Sequence, residues 1–163
     1  MKSNIILCLS FLSLNIFASE SFNEMALKMA HKFDAPQITA QEVSQSNTKN
    51  LLILDAREKK EFQVSHLKNA ILVGYDDFEL AKTIAKIPKG IKVVVYCSVG
   101  YRSGSIASKL KRKGINAYNL YGGIFHWVNS NREIYRTERN EQMITDHVHG
   151  FNRKWGKWLT KGT

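Results

Sequence analysis

Four short apolar runs constrain the fold of this chain more than any other feature. Leu51-Leu52-Ile53-Leu54, Ile71-Leu72-Val73 and Val93-Val94-Val95-Tyr96 are unbroken, and Ala117 to Leu120 is a weaker version of the same pattern. A strand with one face in water alternates apolar and polar residues. An unbroken run of this length is a strand covered on both faces, as in a parallel sheet. Helical patterns fall between the runs: Glu58 to Val64, Asp76 to Lys86 with Phe78, Leu80, Ala81 and Ile84 on its apolar side, and Ser103 to Lys113, closed by Gly114 as a C-cap. Alternating strands and helices predict an α/β domain, a parallel sheet with helices on both faces.

The flanks are simpler. Ser21-Phe22-Asn23-Glu24 is a capping box that opens a helix to about Phe33, with Met25, Leu27, Met29 and Ala30 as its stripe and Pro36 as its stop. Gln37 to Thr39 reads as an extended entry. Thr39-Ala40-Gln41-Glu42 is a second capping box, for a helix to about Ser46. Gly122-Gly123 precedes a short helix from Ile124 to about Asn129, on which Trp127 reads as core. Beyond Asn131 the periodicity fades into a basic extension with turns at Gly150 and Gly156. Its Trp155, Trp158 and Leu159, interleaved with Arg153, Lys154 and Lys157, read as rings packed back on the domain. Docking on a membrane or partner is the alternative.

The first residues read as an export signal. Met1-Lys2 is a short positive start, Ile5 to Phe17 is apolar apart from Ser10, Ser13 and Asn15, and Ala18 supplies a small residue for cleavage. The run is shorter than the ~20 residues of a bilayer span, so no stable membrane span is expected in the mature chain. The expected organisation is a signal peptide over 1–18, an N-terminal helix over 19–34, the α/β domain over 35–131 and the extension over 132–163. The expected location is periplasmic or secreted. Cys8 would leave with the signal, making Cys97 the lone mature thiol. Such a thiol is buried and inert, reactive, or paired to another chain. Neither CxxC nor zinc-spaced Cys/His clusters occur, and His147 and His149 stand apart from other ligands, so no metal is expected.

Charge narrows the partners. The 163 residues carry 24 Lys+Arg against 14 Asp+Glu, a net +10. From Ala81 to Arg132 there is no acid, while Lys82, Lys86, Lys89, Lys92, Arg102, Lys109, Lys111, Arg112, Lys113 and Arg132 are all basic. A basic block suits nucleic acid, anionic lipid or a small anionic substrate. No nucleic-acid motif is present and export argues against one, so no nucleic-acid partner is expected.

The chemistry lies in Val93 to Ser103. A buried strand ends at Cys97, a loop with Gly100 free to take a positive φ follows, and a helix starts near Ser103. Ligands of open α/β sheets bind at the carboxyl ends of the strands, and a helix N-terminus favours an anion there. With Arg102 beside it, the position stabilises a thiolate or persulfide anion. Ser98 and Tyr101 orient substrate or simply fill loop positions. Arg57 and Glu61 at i,i+4 read as a structural ion pair, and His66 as a partner of local backbone groups. Catalytic roles for these, or for Asp55, are the less favoured reading.

These residues resemble the single-domain rhodanese-like sulfurtransferase family. The likeness runs through Leu54-Asp55-Ala56-Arg57, Glu61-Phe62, Ser65-His66-Leu67 and Asn69-Ala70, then the Cys97–Ser103 loop, then Leu120-Tyr121-Gly122-Gly123-Ile124-Phe125-His126-Trp127. Ser65 replaces a usual Gly, and Lys68-Asn69 replaces Pro-Gly. The resemblance implies a five-stranded parallel sheet and Cys97 as the sulfur-carrying nucleophile. It also implies that Arg102 and the loop Ser98, Val99, Gly100, Tyr101 and Ser103 hold sulfur or donor. The family's sulfurtransferases use a six-residue loop and the related phosphatases one residue more; Cys97 to Arg102 is six. The implied reaction moves sulfur from thiosulfate, polysulfide or a persulfide to a thiol, cyanide or a protein acceptor, with no cofactor. A non-enzymatic persulfide carrier or binding module is the alternative, and a phosphatase of the same fold stands behind both. The basic block then reads as a field that draws small sulfur anions to one thiolate.

Overall fold

A computed structural model describes residues 22–162. The signal segment, Cys8 and the Ser21 end of the first capping box lie outside the described residues. In chain order the elements are helix α1 (22–30), β1 (Gln37–Ile38), α2 (Ala40–Gln45), β2 (Leu51–Asp55), α3 (Lys59–Val64), β3 (Ile71–Leu72), α4 (Leu80–Ala85) and β4 (Lys92–Tyr96). There follow α5 (Tyr101–Lys111), β5 (Ala117–Leu120), α6 (Gly123–Asn129), β6 (Ile134–Glu138), β7 (Glu141–Thr145) and α7 (Arg153–Gly156). No described helix is long and apolar enough to cross a membrane.

The first five strands form one parallel sheet in the order β1-β5-β4-β2-β3. The central strand β4 explains the unbroken apolar run. Val94 and Tyr96 pack on one face with Phe22, Ala26, Val43, Ile124, Phe125 and Val128. Val93, Val95 and Cys97 pack on the other, with Ile106, Ala107 and Leu110 of α5. Both faces are covered, so both sets of alternate side chains are apolar.

Local signals hold in part. Thr39 and Glu42 form the reciprocal capping box at α2, with Thr39 N–H donating to Glu42 Oε2 at 2.8 Å. On α1 the buried stripe is Phe22, Ala26 and Ala30, an i,i+4,i+8 row; Leu27 is exposed. The helix expected from Asp76 starts at Leu80, because Tyr75 to Phe78 closes a turn first, with Phe78 N–H on Tyr75 O. The extension after Asn131 holds more structure than its sequence suggested. β6 and β7 form an antiparallel hairpin whose turn residues Arg139 and Asn140 both take positive φ, +50° and +67°. That is the backbone a two-residue hairpin turn requires, reached here without a glycine. Tyr135 joins the hairpin to the domain by exchanging backbone hydrogen bonds with His66. The tail also packs back on the domain, with Val148 and Leu159 buried in the α6-side core.

Candidate active site

Cys97 directly follows β4, and its side chain is 1% exposed. Gly100, at φ +103°, turns the chain into α5, and its N–H lies 3.2 Å from Cys97 Sγ. Ser103 on the first turn of α5 places Oγ 3.4 Å from the same sulfur. The thiol thus sits under one backbone donor and one hydroxyl at the N-terminus of an eleven-residue helix, where negative charge is favoured. Among the described residues it is the free cysteine.

Two further elements fix this cradle: Asn119, which the sequence did not single out, and Gly123, which it named only within the Gly-Gly…Trp element and without a role in the loop. Asn119 of β5 is buried, accepts from Ser103 Oγ at 2.7 Å and donates to Gly100 O at 3.0 Å. Its signal was a polar residue inside an apolar strand. Gly123 begins α6 and points the free N–H groups of that helix back at the loop: Ile124 N–H reaches Cys97 O at 2.9 Å and Phe125 N–H reaches Ser98 O at 3.1 Å. A Cβ on Gly123 would stand 2.3 Å from Cys97 O. The glycine is what lets the two backbones approach.

The charged residues pair differently from the spacing-based expectation. Arg57 does not meet Glu61. Fully buried, it binds Asp55, Nη2 to Oδ2 at 2.7 Å, and Ser65 O at 2.6 Å. The Tyr96 hydroxyl also donates to Asp55. Burial pushes the Tyr96 hydroxyl well above its ordinary pKa, and neighbouring Asp55 adds to the rise. Glu61 instead takes Arg102 in a two-pronged pair, with both guanidinium contacts at 2.7 Å. Ser98 Oγ bridges the two, donating to Glu61 Oε1 and accepting from Arg102, each at 3.0 Å. The pair lies 41 residues apart in sequence, beyond any local pattern. His66 does satisfy its surroundings: Nδ1 lies 2.9 Å from Leu67 O, Nε2 lies 2.8 Å from Thr137 Oγ1 of the hairpin, and Phe62 stacks on the ring.

Arg102, Ser98, Val99 and Tyr101 line a cavity of about 120 Å³ over Cys97. Arg102 enters it with its charge already matched by Glu61. Burial works against the Arg102 charge, but Glu61 and the neighbouring Cys97 more than offset it and hold the guanidinium pKa above its usual value. Tyr101 stands at the rim, with Phe33 edge-on to its ring and Lys32 over its face at 5.0 Å.

Acid titrates this arrangement through Glu61. Burial raises its pKa, yet the Arg102 hydrogen bonds and charge outweigh that and leave it below the ordinary 4.5. A carboxyl depressed by folding adds stability that is complete above its unfolded pKa and is lost as pH falls through the folded value. The melting temperature is therefore expected to fall below about pH 4.5, and Glu61→Gln is expected to flatten that part of the profile in thermal melts.

A profile of the Rhodanese-like domain family matches residues 39–130. Over 81 residues the chain is 30% identical to the probable adenylyltransferase/sulfurtransferase MoeZ of Mycobacterium tuberculosis, covering 49% of this chain and 21% of that protein. Over 82 residues it is 37% identical to the tRNA uridine(34) hydroxylase of Hamiltonella defensa, covering 47% of this chain and 23% of that protein. The chain thus spans less than a quarter of either relative's length. Among solved structures, a rhodanese-related protein from Thermoplasma volcanium superposes with a TM-score of 0.55 at 26% identity, over 61% of this chain and 96% of that one. A thiosulfate sulfurtransferase from Pseudomonas aeruginosa shares the fold, with a TM-score of 0.56 at 23% identity over 84% of this chain and 26% of that one. The profile takes in more than half of the chain and spans the Cys97 loop together with the strand that carries it, so the protein belongs to the rhodanese-like domain family.

Proposed function

We propose that this protein moves a sulfane sulfur from an anionic donor to a thiol or cyanide through a persulfide on Cys97. The observation that carries this reading is the sulfur atom of Cys97 held at the strand end beneath the Gly100 N–H and the Ser103 hydroxyl. The Gly100 N–H donates to a negative sulfur, the Ser103 hydroxyl lies beside it with its proton directed to Asn119 Oδ1, and neither group takes a proton from the sulfur. In the first step the Cys97 thiolate attacks the outer sulfur of the donor. For thiosulfate, the new bond is Cys97 S–S, the bond to the sulfonate sulfur breaks, and sulfite leaves with the electron pair. In the second step an acceptor thiolate attacks the outer persulfide sulfur and the Cys97 thiolate leaves. The negative charge moves between sulfur atoms throughout. The loop therefore needs fixed donors more than an acid or base, and it contains no His or carboxylate.

The likeness to sulfurtransferase relatives supports the reaction class, and the six-residue span from Cys97 to Arg102 favours sulfur over the larger phosphoryl group. We also propose that the chain is exported, on the layout of residues 1–18; N-terminal sequencing of the protein from its own cells should begin at Ser19. Steady-state assays with thiosulfate and with glutathione persulfide, each with cyanide or thiol as acceptor, test the reaction. Cys97→Ser should lower turnover by at least about a thousandfold, to the buffer rate. Turnover that survives this change would refute the reading. A wild-type protein that holds a persulfide on Cys97 and does not turn over would make it a carrier.

A further inference from the structure

The chain beyond the hairpin returns to the site. Val148 N–H donates to Gly162 O at 2.5 Å and closes residues 148–162 into a loop whose ends touch. Both limbs are anchored. Val148 and Leu159 are buried in the core, and the side chain of Asn129 donates to Trp158 O at 2.8 Å and accepts from Thr160 N–H and Oγ1 at 3.0 Å. Gly150 and Gly156 let the limbs approach: a Cβ on Gly150 would lie 3.1 Å from Gly156 Cα. A compact surface loop of this size with joined ends is an Ω-loop, a form that often carries function.

Its tip carries Phe151 and Trp155, and these two rings complete the wall of the cavity over Cys97. Phe151 lies on the Arg102 guanidinium, 4.8 Å from ring centre to Cζ. It is 38% exposed and holds a φ of +62°. A bulky residue seldom takes that backbone, and burial of so exposed a ring is a weak reason to hold it there. Strain of this kind gathers where a side chain must be aimed at a site. The cavity, about 120 Å³, is well below the ~300–1,000 Å³ of ordinary small-molecule pockets. Its one guanidinium is already neutralised by Glu61. A compact dianion entering here leaves water and meets two aromatic rings and a paired charge, an exchange that costs free energy. A thin sulfur chain with at most one charge loses less and gains contact with the rings.

We propose that Phe151 and Trp155 are specificity-determining residues that admit the slender, weakly charged end of a persulfide or polysulfide to Cys97 and discriminate against dianionic thiosulfate. The proposal rests on the sulfur-transfer reading for its substrate and on the cavity alone for its gate. With a hydropersulfide the Cys97 thiolate attacks the outer sulfur, the donor's S–S bond breaks, and the donor thiolate leaves with the electron pair while the proton stays on the transferred sulfur.

Two measurements on the full-length chain test the gate, using wild type, Phe151→Asn and the Phe151→Ala/Trp155→Ala double variant. Asn tolerates positive φ, so Phe151→Asn removes the ring without adding strain. The first measurement is the alkylation rate of Cys97 by neutral iodoacetamide and by anionic iodoacetate, read by peptide mass spectrometry with free glutathione as reference. The wild-type neutral-to-anionic rate ratio should exceed that of glutathione by at least about fivefold. In both variants it should fall towards the reference while the rates rise at least about tenfold. The second is the ratio of kcat/KM for glutathione persulfide to that for thiosulfate, which should drop at least about tenfold in both variants. Unchanged alkylation rates in the variants would overturn the gate. Alkylation that responds as expected with no sulfur transfer from any donor would leave the gate in place and overturn the reaction assigned to it.

Discussion

Alanine at position 123 is expected to dislodge the Cys97 loop and abolish sulfur transfer. The added Cβ would sit 2.3 Å from Cys97 O, 2.6 Å from Ser98 O and 2.7 Å from Ser98 C, all backbone atoms. A side chain can swing away from such a clash, whereas these atoms are tied to β4 on one side and to α5 on the other. Position 123 also holds a φ of +60°, which adds strain for any L side chain. Relief requires α6 to withdraw from the loop and break the Ile124 and Phe125 hydrogen bonds. The expected cost is about 3 kcal/mol or more, a fall in melting temperature of roughly 6–12 °C for a chain of this size. Gly90→Ala is the matched control. It has a φ of +77° and nothing within 4 Å of the added atom, so it should cost only about 1 kcal/mol and leave activity intact. Thermal melts and turnover of the two variants separate crowding from backbone strain.

Glu61→Ala is expected to be nearly as damaging, for a different reason. Glu61 is fully buried and the Arg102 side chain is only 12% exposed. Removing the carboxylate leaves a guanidinium largely out of water with Ser98 Oγ at 3.0 Å and the longer contact to Glu58 Oε1 at 4.0 Å as its remaining polar partners, a situation that costs about 3 kcal/mol. The pair also fixes two loop positions, so kcat/KM should fall at least about tenfold even at temperatures where the variant is folded. Glu61→Gln keeps the shape and one acceptor and should lose less on both counts. A Glu61→Ala protein with wild-type melting temperature and activity would show that the pair is an incidental contact.

The parts of this molecule that were legible in its sequence are those where one local pattern has one cause. Val93 to Tyr96 is apolar at every position because helices cover both faces of β4. Thr39 and Glu42 cap α2 within four residues of each other. The strand–Cys–Gly–helix order placed the thiol at the carboxyl end of the sheet. What escaped depends on partners distant in sequence or on weak patterns. The i,i+4 spacing of Arg57 and Glu61 suggested a pair, but Asp55 beside Arg57 and Arg102 across the site offered each a closer partner. The β6–β7 hairpin gave little signal because Arg136 to Gln142 is a polar run, the apolar Met143 and Ile144 of β7 are adjacent and exposed and so show no alternation, and the turn is Arg139-Asn140 instead of a glycine turn. The tryptophans of the extension read correctly as packing on the domain, yet nothing local said that the surface beneath Trp155 and Phe151 would be the mouth over Cys97. The acid-free block from Ala81 to Arg132 remains a source of positive field, but its single guanidinium in the cavity is matched by Glu61, so the field acts outside the cradle.

Sulfur transfer by this route requires that the sulfur ride on Cys97. The most direct measurement is mass spectrometry of the full-length chain after a single exposure to glutathione persulfide, mapped to the peptide that contains Cys97. The expected result is a gain of one sulfur atom on that peptide, its removal by added cyanide or thiol, and its absence from Cys97→Ser. An unmodified Cys97 peptide under conditions where free thiols are persulfidated, or the same gain in Cys97→Ser, would contradict it.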